Sequence, residues 1–329
     1  MPRQRGSAQH YVDGITACDR AVLARAITLV ESEHPSDALL AQEVIEGCLP
    51  FSGRSVRVGI TGVPGAGKST FIEALGTHLI EVRGERVAVL SVDPSSQVSG
   101  GSILGDKTRM ERLGADERAF IRPSPTRGQL GGVTRHTREA ILICEAAGFG
   151  NILVETVGVG QSETAVRGMT DFFLLLMLAG AGDELQGIKR GVLELVDLVA
   201  VNKADGDNRA RAEVARRELA NALHLFPASD DGWTPPVVTC SALSGEGVPM
   251  IWDLVRAHRG VMQTSGEFAK RRARQRVEWL HDLIRQTLEA EFRRRPGVSS
   301  RLQEAELAVR QGAADPISAA ARVFRNADS

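Results

Sequence analysis

Apolar positions follow a helical rhythm at both ends of the chain and an alternation of two rhythms between them. In residues 21–30, Val22, Leu23, Ala26, Ile27 and Val30 recur at helical spacing, and Leu39, Leu40, Val44 and Ile45 repeat the pattern in 38–48. Two amphipathic helices are predicted, separated by His34-Pro35-Ser36, with Ser36 or Asp37 as N-cap of the second. From Ser55 onward, short apolar runs at 56–61, 87–92, 119–121, 151–154, 171–178, 198–201 and 237–239 alternate with longer helical patterns. That alternation predicts an α/β fold, a mainly parallel sheet with helices on both faces. Residues 172–178 are apolar without interruption, as a strand buried on both faces requires.

Beyond Gly260 the strand pattern stops. Residues 267–295 read as one long helix with Val277, Leu280, Ile284, Leu288 and Phe292 near one stripe and arginine on its other faces. Pro296-Gly297 ends it, and 302–310 and 317–324 read as two short helices. The expected organisation is a helical N-terminal extension (1–50), a central domain (51–260) and a helical C-terminal arm (261–329). An apolar stripe on so long a helix needs a covering surface, either within a capping subdomain or on another molecule.

Composition narrows the classes. The 329 residues are 43% hydrophobic and 25% charged, which excludes disorder throughout, and the 34 glycines show no collagen-like period. A net charge of −1 gives no general pull toward nucleic acid or anionic membrane. Cys18, Cys48, Cys144 and Cys240 are widely spaced, so neither a disulfide framework nor a cysteine zinc site is expected. Residues 1–14 lack the apolar core of a secretion signal, and the longest apolar run, 172–179, is far short of the ~20 residues of a membrane span. A cytoplasmic protein is expected.

The first predicted strand runs into Gly62-Val63-Pro64-Gly65-Ala66-Gly67-Lys68-Ser69-Thr70, which fits G-x-x-x-x-G-K-[ST] and precedes a helical pattern. Glycines let consecutive N–H groups converge on a β-phosphate, and the helix N-terminus adds partial positive charge. Lys68 would reach the β- and γ-phosphates and Ser69 would ligate Mg²⁺. Composition alone yields such a match in about 0.005 of chains of this length, so it is read as a phosphate loop of a P-loop NTPase. Only five of the 40 basic residues are lysine, and Lys68 and Lys203 both fall in nucleotide motifs.

Asn202-Lys203-Ala204-Asp205 ends a predicted strand and reads as N-K-x-D. The Asp205 carboxylate can accept from guanine N1–H and N2–H₂, whereas adenine presents a lone pair there, a mismatch of a few kcal/mol. Lys203 would lie along the base, and Asn202 would tie this loop to the phosphate loop. Ser241-Ala242-Leu243, after the next strand, resembles the loop whose backbone N–H receives guanine O6.

Glu155-Thr156-Val157-Gly158 occupies the place of the D-x-x-G segment of GTPases. Gly158 would meet the γ-phosphate, and Glu155 would hold Mg²⁺ through water or cap its own turn. Val159 stands where small GTPases carry a water-orienting glutamine, so slow intrinsic turnover is expected, with Gln161 two residues too late by that template. Asp93 and Asp106 either reach the metal side of the phosphates or cap their loop and helix. The glycine-rich stretch 179–189 reads either as a reporter of nucleotide state or as an inert loop.

On these residues the chain resembles the MeaB/ArgK-type G proteins, the methylmalonyl-CoA mutase-associated GTPases, over nearly its whole length. Residues 155–163, E-T-V-G-V-G-Q-S-E, are the most specific part. The resemblance implies a SIMIBI-class G domain, a GTP/GDP cycle with Mg²⁺ and a homodimer built with the arm. It also implies a chaperone role toward adenosylcobalamin-dependent methylmalonyl-CoA mutase, in which GTP hydrolysis gates cofactor loading and protects or reactivates the mutase. By the same resemblance Asp93, Asp106 and Glu155 are metal-site or switch residues, and 183–189 relay nucleotide state to the mutase. Two other functions remain open at this stage. A metal-insertion GTPase is disfavoured by the lack of a His-rich tract or paired cysteines. A transport-linked ATPase or kinase is disfavoured by Asn202–Asp205.

Overall fold

The computed structural model describes residues 5–32, 34–92, 110–123, 130–156, 162–179, 190–226 and 232–325. The chain forms two compact units, Met1–Gln275 and Arg276–Ser329.

The first unit opens with three helices, α1 (Ala8–Thr16), α2 (Arg20–Val30) and α3 (Pro35–Cys48). The pattern of apolar positions missed α1. Only Tyr11, Val12 and Ile15 are buried in it, and Gly14 lowers its helix propensity. Gly14 is there for packing, because a Cβ on it would lie 2.6 Å from Val22 Cγ1. The cap of α3 also differs from expectation: Pro35 takes the first helical turn, and the His34 ring accepts from Ser36 N–H at 3.3 Å.

Seven strands then build one sheet: β1 (Val56–Gly62), β2 (Val87–Val92), β3 (Ala119–Arg122), β4 (Asn151–Thr156), β5 (Phe172–Leu178), β6 (Leu198–Asn202) and β7 (Val237–Thr239). They lie in the order β3-β2-β4-β1-β5-β6-β7, and every pairing is parallel. All seven apolar runs of the sequence become these strands. Among the described residues, the further α-helices of this unit are α4 (Lys68–Glu81), α5 (Glu111–Ala115), α6 (Leu130–Ala146), α7 (Ser162–Arg167), α8 (Arg190–Leu193), α9 (Arg209–Leu223) and α10 (Val248–Ser265). Phe172 to Met177 are buried without a break, so β5 sits inside the helical layers as a two-sided core strand must.

Helix α11 (Glu267–Arg294) begins in the first unit and continues into the second, which adds α12 (Val298–Arg310) and α13 (Pro316–Arg325). The second unit has a small core of its own: Val298, Ala319 and Val323 are buried, and Phe292 stacks on Phe324 with ring centroids 4.5 Å apart. Val277, Leu280, Ile284 and Leu288 remain 46 to 62% exposed along α11. No described helix is long and apolar enough to cross a membrane.

A parallel sheet delivers the carboxyl ends of all its strands to one edge. Gly62 pairs with Leu176, Ile60 with Glu155 and Leu178 with Asn202, so the candidate motifs following β1, β4 and β6 emerge side by side. β2 and β5 depart to opposite sides of β1, which places the phosphate-loop motif where the strand order reverses.

Candidate functional site

Residues 62–67 turn the chain from β1 into α4 within hydrogen-bonded loop geometry, Ala66 N–H donating to Val63 carbonyl at 3.1 Å. Two glycines are sterically required. A Cβ on Gly62 would lie 2.4 Å from the Leu176 carbonyl oxygen. Gly67, at φ +85°, is left-handed, and its Cβ would lie 2.8 Å from Asn202 Nδ2. As N-cap of α4, Gly67 brings no side-chain acceptor to the first amides of the helix. A helix N-terminus without its own capping side chain leaves its first amides open to a partner such as an anion. Pro64 and Gly65 are exposed at the tip, and Thr70 is exposed on the first turn of α4.

Lys68 folds back over the loop, donating to the Gly62 carbonyl at 2.8 Å and the Val63 carbonyl at 3.4 Å. Burial pushes its ammonium below the usual lysine range, while the carboxylates of Glu155 and Glu163 act the other way. Beside it, the Ser69 hydroxyl donates to Glu155 Oε1 at 3.1 Å, and Glu155 is only 4% exposed. This hydroxyl and buried carboxylate are hard oxygen donors next to a phosphate loop. Mg²⁺ uses few protein ligands and fills its shell with phosphate and water, so the pair suits it. Among the described residues, no group of three or more His, Cys, Asp or Glu side chains forms a larger metal site.

Asn202 joins the two loops. Its Nδ2 donates to the Ala66 carbonyl at 2.7 Å, and its Oδ1 accepts from Ala242 N–H at 2.9 Å and the Cys240 thiol at 3.6 Å. The Ala242 amide is therefore occupied within the protein. Asp205 is held by the Ser241 hydroxyl, which also accepts from Ser244 N–H at 3.1 Å. Lys203 takes a left-handed φ of +59° and is exposed, its carbonyl accepting from Asn208 Nδ2 at 2.7 Å. Leu243 is 85% exposed at the loop tip.

The structure thus brings residues 62–70, Glu155, 202–205 and 241–243 to one edge of the sheet. Asp93, Asp106, Gly158, Gln161 and 183–189 lie outside the described residues. One pair that sequence reading missed belongs here: the Thr156 hydroxyl donates to Thr61 Oγ1 at 2.9 Å, clasping the ends of β4 and β1 where both are buried. Its only signal in the sequence is a threonine ending the run 56–61 and another two residues past the run 151–154.

Comparison with known proteins places the chain among GTPases. The model of the family described as methylmalonyl Co-A mutase-associated GTPase MeaB matches residues 23–296. A putative GTPase of Caulobacter vibrioides is 54% identical over 93% of this chain and 93% of its own length. GTPase ArgK of Escherichia coli is 51% identical over 80% of this chain and 79% of its own. Among solved structures, a LAO/AO transport system kinase superposes with a TM-score of 0.75 at 36% identity, covering 98% of both chains.

Proposed function

The chain belongs to the MeaB family of methylmalonyl-CoA mutase-associated GTPases, and from that membership we propose that it is a Mg²⁺-dependent, homodimeric chaperone of methylmalonyl-CoA mutase. It is a GTPase of the MeaB/ArgK family with a P-loop fold. The observation that carries the nucleotide reading is the Asn202 bridge between the phosphate loop and the Ser241–Leu243 loop. The spacing of phosphate and base contacts is fixed by one side chain, so triphosphate and guanine are read as a unit.

In the proposed mechanism the amides of residues 62–70, with the α4 N-terminus, cradle the β-phosphate, and Lys68 releases the Gly62 carbonyl to compensate charge on the β- and γ-phosphates. Ser69 and Glu155 would hold the metal, directly or through water, with Asp93 and Asp106 as further candidates. Mg²⁺, when bound, would supply neutralisation of the phosphate charge. Gly158 senses the γ-phosphate. Asp205 selects guanine, with Lys203 along the base and Ser241, Ala242 and Leu243 forming the O6 side. With Ala242 N–H given to Asn202, a neighbouring amide of that loop meets O6. Val159 stands where a water-orienting glutamine would be, so intrinsic turnover is slow and a partner accelerates it.

The partner reading rests on the family. In it, hydrolysis gates delivery of the cobalamin cofactor and protects or reactivates the mutase in the cytoplasm, with 183–189 as the relay. The arm, 261–329, makes the dimer through the exposed stripe of α11. Affinity capture from lysate with and without a non-hydrolysable GTP analogue tests this: nucleotide-dependent recovery of the mutase is expected, and recovery of no mutase in either state contradicts it.

A further inference from the structure

Strand β4 lies between β2 and β1. Against β2 its register runs on through Ser91 and Glu155 to Val92 and Thr156, whereas against β1 it stops at Ile60 and Glu155. The next pair along, Thr61 and Thr156, is joined by side chains instead, Thr156 Oγ1 donating to Thr61 Oγ1 at 2.9 Å. Both threonines are 0% exposed. Two valines would fill this space with no hydroxyl to desolvate, and exchanging both partners of a buried hydrogen bond for apolar groups of the same shape costs little. A satisfied polar pair in such a place contributes a fixed arrangement more than it contributes stability.

What the pair arranges follows from its neighbours in the chain. Side chains along a strand alternate between the two faces of the sheet. Thr156 therefore stands on the face opposite Glu155, the residue before it, whose Oε1 accepts from Ser69 Oγ at 3.1 Å at the start of α4. Thr61 stands immediately before Gly62, where the chain leaves β1 for residues 63–67 and α4. One hydroxyl pair thus joins the residue after the carboxylate to the residue before the loop that carries Ser69. The loop has separate anchors on its other side: Gly62 pairs with Leu176 of β5, and Asn202 at the end of β6 donates to the Ala66 carbonyl at 2.7 Å. On the β4 side the ladder ends at Ile60, and the threonine pair carries the spacing one residue further, to the point where the loop departs.

We propose that Thr61 and Thr156 are positioning residues that hold the Glu155 carboxylate at the spacing from the Ser69 hydroxyl that a divalent cation requires. The inference rests on Ser69 and Glu155 being the metal pair of the proposed function. Mg²⁺ demands near-ideal octahedral geometry with short contacts to oxygen, so it is sensitive to a small displacement of one donor group against another. Whether the carboxylate meets the cation or a water of its shell, its distance from Ser69 is the quantity that must match. Nucleotide contacts of the phosphate loop, anchored from β5 and β6, do not share that dependence. Losing the threonine pair weakens cation binding and spares binding of the metal-free nucleotide.

The test compares the full-length wild type with the double variant Thr61→Val, Thr156→Val and with Thr156→Ser, which keeps the hydroxyl. Mn²⁺, a paramagnetic stand-in for Mg²⁺, is titrated into the GDP complex and followed by electron paramagnetic resonance, and GDP affinity is measured separately in EDTA. The double variant should melt close to the wild type, bind metal-free GDP within about twofold and bind Mn²⁺ about tenfold more weakly, while Thr156→Ser keeps Mn²⁺ affinity within about twofold. If the double variant does not fold, Thr61→Val alone carries the same selective loss. Unchanged Mn²⁺ affinity without the threonine pair, an equal loss of metal-free GDP affinity, or a loss in Thr156→Ser as large as in the double variant overturns the inference and leaves the metal pair standing. Ser69→Ala tests the reading beneath it. That variant should lower Mn²⁺ affinity whatever the threonines do, and if it does not, the metal pair falls and the inference with it.

Discussion

Asn202 Nδ2 lies 2.7 Å from the Ala66 carbonyl oxygen, a hydrogen bond that spans 136 residues of sequence and joins the base motif to the phosphate motif. Asn202→Ala removes this bond and the acceptor for Ala242 N–H, leaving buried polar groups unpaired. Affinity for GTP and GDP should fall together by about tenfold or more, measured by fluorescence titration of labelled nucleotides. A selective loss of one nucleotide contradicts the bridging role.

Asp205→Asn exchanges a carboxylate for an amide at the proposed guanine contact. Preference should move from GTP toward xanthosine triphosphate, whose ring offers an acceptor where guanine has its amino group. Competition binding checks this, and an unchanged preference places base recognition elsewhere. The Ser241 hydroxyl already orients Asp205, so Ser241→Ala should weaken GTP binding more mildly.

Most of this site is legible in sequence because its residues lie in short contiguous motifs. Residues 62–70 and 202–205 needed only their spacing, and the seven strands needed only their apolar runs. Contacts between distant segments left no such trace. Gln275 meets Arg167 and Thr170 across more than 100 residues, and nothing in the arginine-rich surroundings of α11 marks it. Arg272 is similar: it reads as one more solvated charge, yet it is buried against Asp171 and donates to the Ser55 carbonyl at 2.8 Å. Helix α1 was hidden for a local reason, since its few apolar positions and Gly14 give a weak helical pattern.

Glu145 anchors the segment entering β1. It accepts from Gly53 N–H at 2.7 Å, from the Ser55 hydroxyl and from Arg57 Nε and Nη2, both at 2.8 Å. Burial alone would raise its carboxyl, but the Arg57, Ser55 and Gly53 hydrogen bonds together hold it below the ordinary glutamate range. A depressed carboxyl contributes stability above its unfolded pKa and loses it as pH falls through the folded value. Glu145→Gln should therefore destabilise by about 3 kcal/mol at pH 7 and by clearly less at pH 3. Thermal melts at the two pH values check this, and an equal loss at both contradicts the ionised pair.

The α11 stripe gives a prediction for assembly. Leu280→Glu combined with Ile284→Glu places charge on side chains that are 54% and 46% exposed in the single chain, so folding should survive. Light scattering should show a dimer for the wild type and a monomer for the variant. A variant that stays dimeric moves the interface off this face.

Calorimetric titration of GTP and ATP into the Mg²⁺-supplied wild-type chain and into Lys68→Ala tests the nucleotide site most directly. The account predicts saturable binding of GTP near one per chain, ATP weaker by about a hundredfold or more, and GTP affinity sharply reduced in the variant. Equal binding of GTP and ATP, or full GTP affinity without Lys68, would contradict it.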